Sequence, residues 1–96
     1  MQKTAWITGA GSGIGAALVK AFSGAGFGVA LTGRNRQSIE DVAASLPDTA
    51  NTLLLPGDVT DRTGMVDLAT QIADWNGGIH VLCNNAGLNI PRRKWA

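Results

Sequence analysis

The sequence predicts an α/β fold, a doubly wound parallel sheet covered by helices, and three observations carry that expectation. Short apolar runs alternate with longer stretches whose apolar residues recur at helical spacing. Each of the first three runs is closed by a turn signal: Thr8-Gly9, Gly33 or Pro56-Gly57. The segment TGAGSGIG, Thr8 to Gly15, places four glycines in eight residues between the first apolar run and the first helical stretch. Strands and helices in alternation point to parallel pairing, because parallel strands need crossover connections and helices supply them.

The elements follow in order. Ala5-Trp6-Ile7 reads as a buried strand. Ile14, Ala17, Leu18, Ala21 and Phe22 then recur as one face of a helix that starts near Gly13 or Ile14 and is stopped by Gly24 and Gly26. Val29-Ala30-Leu31 is the second strand. Ile39, Val42, Ala43 and Leu46 mark a second helix, with Asn35 as its cap and Pro47 as its stop. Leu53-Leu54-Leu55 is the third strand. Met65, Leu68, Ala69 and Ile72 form the third helix, capped at Thr60 or Asp61 and closed by Gly77-Gly78. Val81-Leu82-Cys83 is the fourth strand, running into Asn84-Asn85-Ala86-Gly87. Right-handed crossovers place helices on both faces, and the first strand of such a sheet is central. Its carboxyl end, where TGAGSGIG begins, opens on the crevice in which ligands bind.

Composition narrows the function classes. The chain has 96 residues, enough for one domain at most. A formal net charge of +1 offers no electrostatic case for nucleic acid, and Arg92-Arg93-Lys94 reads as a solvated loop. Cys83 is the only cysteine, so an intrachain disulfide and a multi-cysteine metal site are ruled out, and its apolar neighbours predict a buried, inert thiol. His80 is the only histidine and reads as structural, leaving no metal site expected. No run of roughly 18 apolar residues offers a membrane span. Glycines and Lys20 interrupt the apolar stretch after Lys3, so no targeting segment is expected and the cytosol is the default compartment.

The glycine segment has two readings: a turn that permits close strand–helix packing, or a phosphate cradle. A helix beginning near Gly13 or Ile14 carries free backbone N–H groups and a partial positive charge, and glycines let a pyrophosphate approach. Ser12 adds a hydroxyl donor. The strand before and the helix after favour the cradle. About twenty residues further on, dinucleotide sites that take NAD place an acid for the ribose hydroxyls. Here that position reads Leu31-Thr32-Gly33-Arg34-Asn35-Arg36, with no acid and an arginine instead. A guanidinium suits a 2′-phosphate, so NADP is the expected cofactor, with Arg34 as the main contact and Arg36 in support. NAD remains the alternative.

With these residues in place, the chain resembles the N-terminal half of a short-chain dehydrogenase/reductase, a Rossmann-type fold. Thr8 to Gly15 is similar to the family's TGxxxGxG motif, Asp58-Val59 to its adenine-binding pair, and Asn84-Asn85-Ala86-Gly87 to its NNAG motif. The resemblance covers nearly the whole chain, with the motifs in order. It implies that Ser12, Gly13 and Ile14 surround the pyrophosphate and neighbouring cofactor atoms, with Gly9 and Gly15 also among the cofactor-binding positions. It also implies that Asp58 accepts from the adenine amino group with Val59 beside it, and that Asn85, Ala86 and Gly87 line the ribose and nicotinamide side. Asn84 is expected to knit neighbouring strands instead. The activity implied is hydride transfer between a nicotinamide and a carbonyl or alcohol carbon of a small-molecule substrate, by dimers or tetramers of the intact protein.

The family's Ser, Tyr and Lys catalytic set is not found. The sequence contains no tyrosine, and Lys94, the one lysine beyond the NNAG-like motif, has no partner. No catalytic residue is assigned. The expectation is an N-terminal dinucleotide-binding part of a single domain, residues 1–96, whose catalytic part lies elsewhere. A fourth strand left at the sheet edge would be an aggregation hazard, which favours that reading over a stand-alone nucleotide-binding or regulatory module. The epimerase/dehydratase class fits less well because its glycine spacing differs. A flavin-binding domain would require an acid after the second strand.

Overall fold

Four strands and three helices alternate along the chain in the computed structural model, which describes residues 2–85. Strand β1 (Thr4–Thr8) leads to helix α1 (Gly13–Gly24), β2 (Gly28–Thr32) to α2 (Arg36–Ala44), and β3 (Thr52–Leu54) to α3 (Arg62–Asn76). Strand β4 (Val81–Asn84) follows. The sheet order is β3-β2-β1-β4, and every pairing is parallel, with Ile7 beside Leu31 on one flank and Cys83 on the other. The doubly wound sheet expected from the alternation is therefore present, with β1 inside it.

The period of two along each strand decides which helix covers which face. Ala5, Ile7, Val29 and Leu31 point to one side, where Val19 of α1 and Ile39 and Val42 of α2 complete the cluster. Trp6 and Ala30 point to the other side, against Leu55 and against Ile72 of α3. All five residues of β1 and all five of β2 are buried, as a strand covered on both faces requires. Each fully buried Ile, Leu or Val contributes about 1.5–3 kcal/mol of transfer free energy.

Helix ends follow their local signals. The Asn35 side chain accepts from the Ser38 amide at 3.1 Å and starts α2. The Asp61 side chain accepts from the Gly64 amide at 3.0 Å and starts α3. Gly77, at φ 85°, ends α3 in the left-handed conformation open to glycine.

Three details differ from the pattern in the sequence. The inner face of α1 is Gly15, Leu18, Val19 and Phe22, whereas Ile14, Ala17 and Ala21 are exposed. The face is rotated because Gly15 must lie against the end of β1, which turns Ile14 outward. The third strand ends at Leu54, one residue before the expected boundary, but Leu55 is buried and its amide still donates to the Leu31 carbonyl at 2.8 Å. Cys83 is half-buried rather than enclosed, packing against the α1–α2 cluster from the sheet edge. His80 serves β1: its Nδ1 accepts from the Thr4 amide at 3.0 Å, and its own amide donates to the Thr4 carbonyl at 2.9 Å.

Trp6 joins the two central strands by a side chain as well as by the ladder. Its indole N–H donates to the Thr32 hydroxyl at 2.8 Å, in the buried interior. Replacing Trp6 with Phe leaves that hydroxyl without its donor and opens space beside Ile72. A loss of about 2–4 kcal/mol is expected in urea denaturation. A midpoint within error of the wild type would show that this hydrogen bond does not stabilise the fold.

Candidate functional site

Parallel winding brings the carboxyl ends of β1, β2 and β3 together, and backbone hydrogen bonds extend the sheet into the loops beyond them. The Ala10 amide donates to the Thr32 carbonyl at 3.0 Å, and the Gly57 amide to the Gly33 carbonyl at 3.0 Å. Three loops thus form one rim.

The glycine loop is shaped by two kinds of constraint. Gly9 and Gly13 have φ values of 61° and 51°, in the region that glycine enters freely. Gly15 and Gly11 are set by close approach. A Cβ at Gly15 would fall on the Gly9 carbonyl, and one at Gly11 would lie 2.7 Å from the Ser38 Cβ. Ser12 precedes α1 as its cap residue, but its side chain makes no capping hydrogen bond, and no acidic residue occupies the first turn. The first amides of α1 therefore keep their donors, and the positive end of the helix dipole has no side-chain counter-charge. A phosphate oxygen fits this donor set.

Beside the loop lies a cavity of about 410 Å³, into which all three rim loops contribute. Gly9, Gly11 and Ser12 come from the first loop, Gly33, Arg34 and Asn35 from the second, and Gly57, Asp58, Val59 and Thr60 from the third, with Ser38 of α2 below. Arg34 and Asp58 meet across it: Arg34 Nη2 donates to Asp58 Oδ2 at 3.3 Å, with the side chains 75% and 42% exposed. The other carboxylate oxygen, Oδ1, accepts from the Thr60 amide at 2.9 Å and the Thr60 hydroxyl at 2.8 Å. These two bonds from Thr60 hold the Asp58 carboxyl below its ordinary pKa, aided by the Arg34 guanidinium and opposed by partial desolvation.

The structure gathers Gly9, Ser12, Arg34, Asp58 and Val59 around this one cavity. Gly13, Ile14 and Gly15 stand at the adjacent start of α1, with Ile14 65% exposed. Asn84 knits strands, its Oδ1 accepting from the Thr8 hydroxyl at 3.0 Å. Asn85 does not line the cavity. Its Nδ2 donates to the Gly9 carbonyl at 3.3 Å, tying the end of β4 to the glycine loop. Arg36 is drawn away from the cavity, its Nε donating to Glu40 at 2.8 Å along α2. Ala86, Gly87 and Lys94 lie outside the described residues. Sequence reasoning did not single out Ser38 or Thr60 for the cavity. The Asp-x-Thr spacing that makes the turn at Asp58 was the available signal for Thr60.

The sheet order and the glycine loop at the end of the central strand define a Rossmann-type α/β protein. The chain belongs to the short chain dehydrogenase family, whose model matches residues 3–95. An uncharacterized oxidoreductase of Staphylococcus epidermidis is 35% identical over 92 residues, which cover 96% of this chain and 39% of that protein. Meso-2,3-butanediol dehydrogenase of Serratia marcescens is 36% identical over 89 residues, covering 93% of this chain and 35% of that enzyme. The crystal structure of L-sorbose reductase from Gluconobacter frateurii, complexed with NADPH and L-sorbose, superposes with a TM-score of 0.82 at 32% identity. That match covers 90% of this chain and 34% of the reductase. The chain therefore spans well under half the length of these relatives. No helix among the described residues is long and apolar enough to cross a membrane.

The Asp58 geometry has a pH consequence. Because the carboxyl is more acidic folded than unfolded, its contribution to stability is present above the ordinary aspartate pKa and is lost as pH falls through the lowered folded value. An NMR titration of Asp58 should give a midpoint below that of an unstructured aspartate. Thr60→Val, which removes the hydroxyl but keeps the amide, should raise the midpoint partway. An unchanged midpoint in the variant would mean that the hydroxyl does not engage the carboxylate in solution.

Proposed function

We propose that this chain is the cofactor-binding part of an oxidoreductase that prefers NADP and acts on a small-molecule carbonyl or alcohol. The observation that carries this reading is one cavity bordered by a glycine loop, a helix start with no acid in its first turn and an exposed arginine where an NAD site would place an acid. The first amides of α1, with the Ser12 hydroxyl, would take the pyrophosphate oxygens. Arg34 would take the 2′-phosphate, because its guanidinium is permanently charged and its fork matches phosphate geometry. Arg36, held by Glu40, is left out of the contact.

Asp58 would accept from the adenine amino group, with Val59 beside the ring. Ile14, an exposed apolar side chain at the start of α1, would cover one side of the bound dinucleotide. Asn85, Ala86 and Gly87 would follow the ribose and nicotinamide. A nicotinamide held there would supply or take up a hydride, the chemistry that interconverts a carbonyl and an alcohol once a proton is added to or removed from the oxygen. No residue among the 96 is assigned that proton transfer; we assign it to a part of the domain outside them. The NADPH-bound sorbose reductase and the butanediol dehydrogenase support the reaction class. In its full-length form we place the protein in the cytosol as a homo-oligomer.

Titration with NADPH and NADH, followed by nicotinamide fluorescence, tests the assignment. NADPH should bind more tightly, and Arg34→Ala should weaken it about tenfold while changing NADH little. Tighter NADH binding, unaffected by the substitution, would overturn it.

A further inference from the structure

Arg34 and Asp58 are assigned above to different ends of the same nucleotide, the ribose 2′-phosphate and the adenine, yet in the structure they hold each other. Arg34 Nη2 donates to Asp58 Oδ2 at 3.3 Å. We propose that Asp58 is a second determinant of cofactor choice: its carboxylate competes with the 2′-phosphate for the Arg34 guanidinium. This inference rests on the NADP reading and deepens it.

Three features of the local geometry carry it. The carboxylate does not swing freely, because both Thr60 hydrogen bonds converge on Oδ1 and leave Oδ2 presented toward Arg34. The guanidinium has no other ion-pair partner among the described residues, since Glu40 is occupied by Arg36. Both groups border the cavity and approach from different loops, so a phosphate that draws Arg34 inward must draw it off Asp58.

Binding is then an exchange of partners. The guanidinium passes from a carboxylate to a phosphate dianion, and the carboxylate gives up its ion pair. A nucleotide without the 2′-phosphate has no group with which to draw Arg34 away, so the pair persists or is broken without replacement. Asp58 is a specificity-determining residue here because it acts on the phosphate through Arg34. Its own contact with adenine is common to NAD and NADP and cancels from the comparison.

The experiment compares adenosine 2′,5′-bisphosphate with adenosine 5′-monophosphate by calorimetry, so that the affinity ratio isolates the 2′-phosphate. The isosteric Asp58→Asn keeps an Oδ1 acceptor for Thr60 and removes the charge. It should raise the ratio about 2–5-fold at low salt, the range of a partly exposed ion pair, and the gain should shrink as salt screens the pair. In an Arg34→Ala background the same substitution should leave the ratio unchanged. A ratio that stays level or falls in Asp58→Asn overturns the proposal while leaving the role of Arg34 intact. A gain that persists without Arg34 also overturns it, since Asp58 would then act on the phosphate independently. If Arg34→Ala alone leaves the wild-type ratio unchanged, the NADP reading fails and the proposal fails with it.

Discussion

Helix α1 can start against the end of β1 because position 15 has no side chain. A Cβ there would overlap the Gly9 carbonyl and crowd the Asn85 amide nitrogen. That single close approach sets much of the site. It places the first turn of α1, with its free N–H donors, directly over the carboxyl end of the central strand. It turns Val19 into the core and Ile14 out of it. It also leaves the Gly9 carbonyl within reach of Asn85, which anchors the end of β4 to the same loop.

Around this contact the fold supplies rigidity where the chemistry needs it and leaves charge where it can be exchanged. The rim is built from backbone bonds between successive loops, Ala10 to Thr32 and Gly57 to Gly33, which no surface side-chain change would remove. Its charged groups are side chains, Arg34 and Asp58, both substantially exposed. An exposed ion pair stabilises a fold by little. In the proposed exchange with a cofactor phosphate, such a pair would govern the ease with which the ligand replaces one of its members. Thr60 makes this sharper by fixing one carboxylate oxygen and leaving the other to Arg34.

The strands were legible because the middle of β1, Ala5-Trp6-Ile7, and of β2, Val29-Ala30-Leu31, is a continuous apolar run followed by Thr-Gly, a pattern that burial on both faces imposes. The starts of α2 and α3 were legible because Asn35 and Asp61 cap through contacts spanning three residues. The inner face of α1 was not. Its small residues repeat so densely that hydropathy cannot choose between rotations a residue apart, and the choice falls to Gly15 and the strand beneath it. The sequence likewise set Arg34 and Arg36 side by side as candidates. The i,i+4 contact with Glu40 separates them, and helical register around a defined start is needed to see it.

By itself, then, the sequence determined the α/β class, the order of the elements, the glycine loop with its helix start, and the residues Gly9, Ser12, Arg34, Asp58 and Val59 that border the cavity. Each of these is written in local spacing or in a motif. Tertiary structure alone decided that Arg34 and Asp58, 24 residues apart, share an ion pair, and that Asn84 ties strands while Asn85 ties the loop. Those are relations between loops at the ends of parallel strands. A parallel crossover brings such loops together only after the intervening helix has packed, so no pattern within either loop encodes the distance between them.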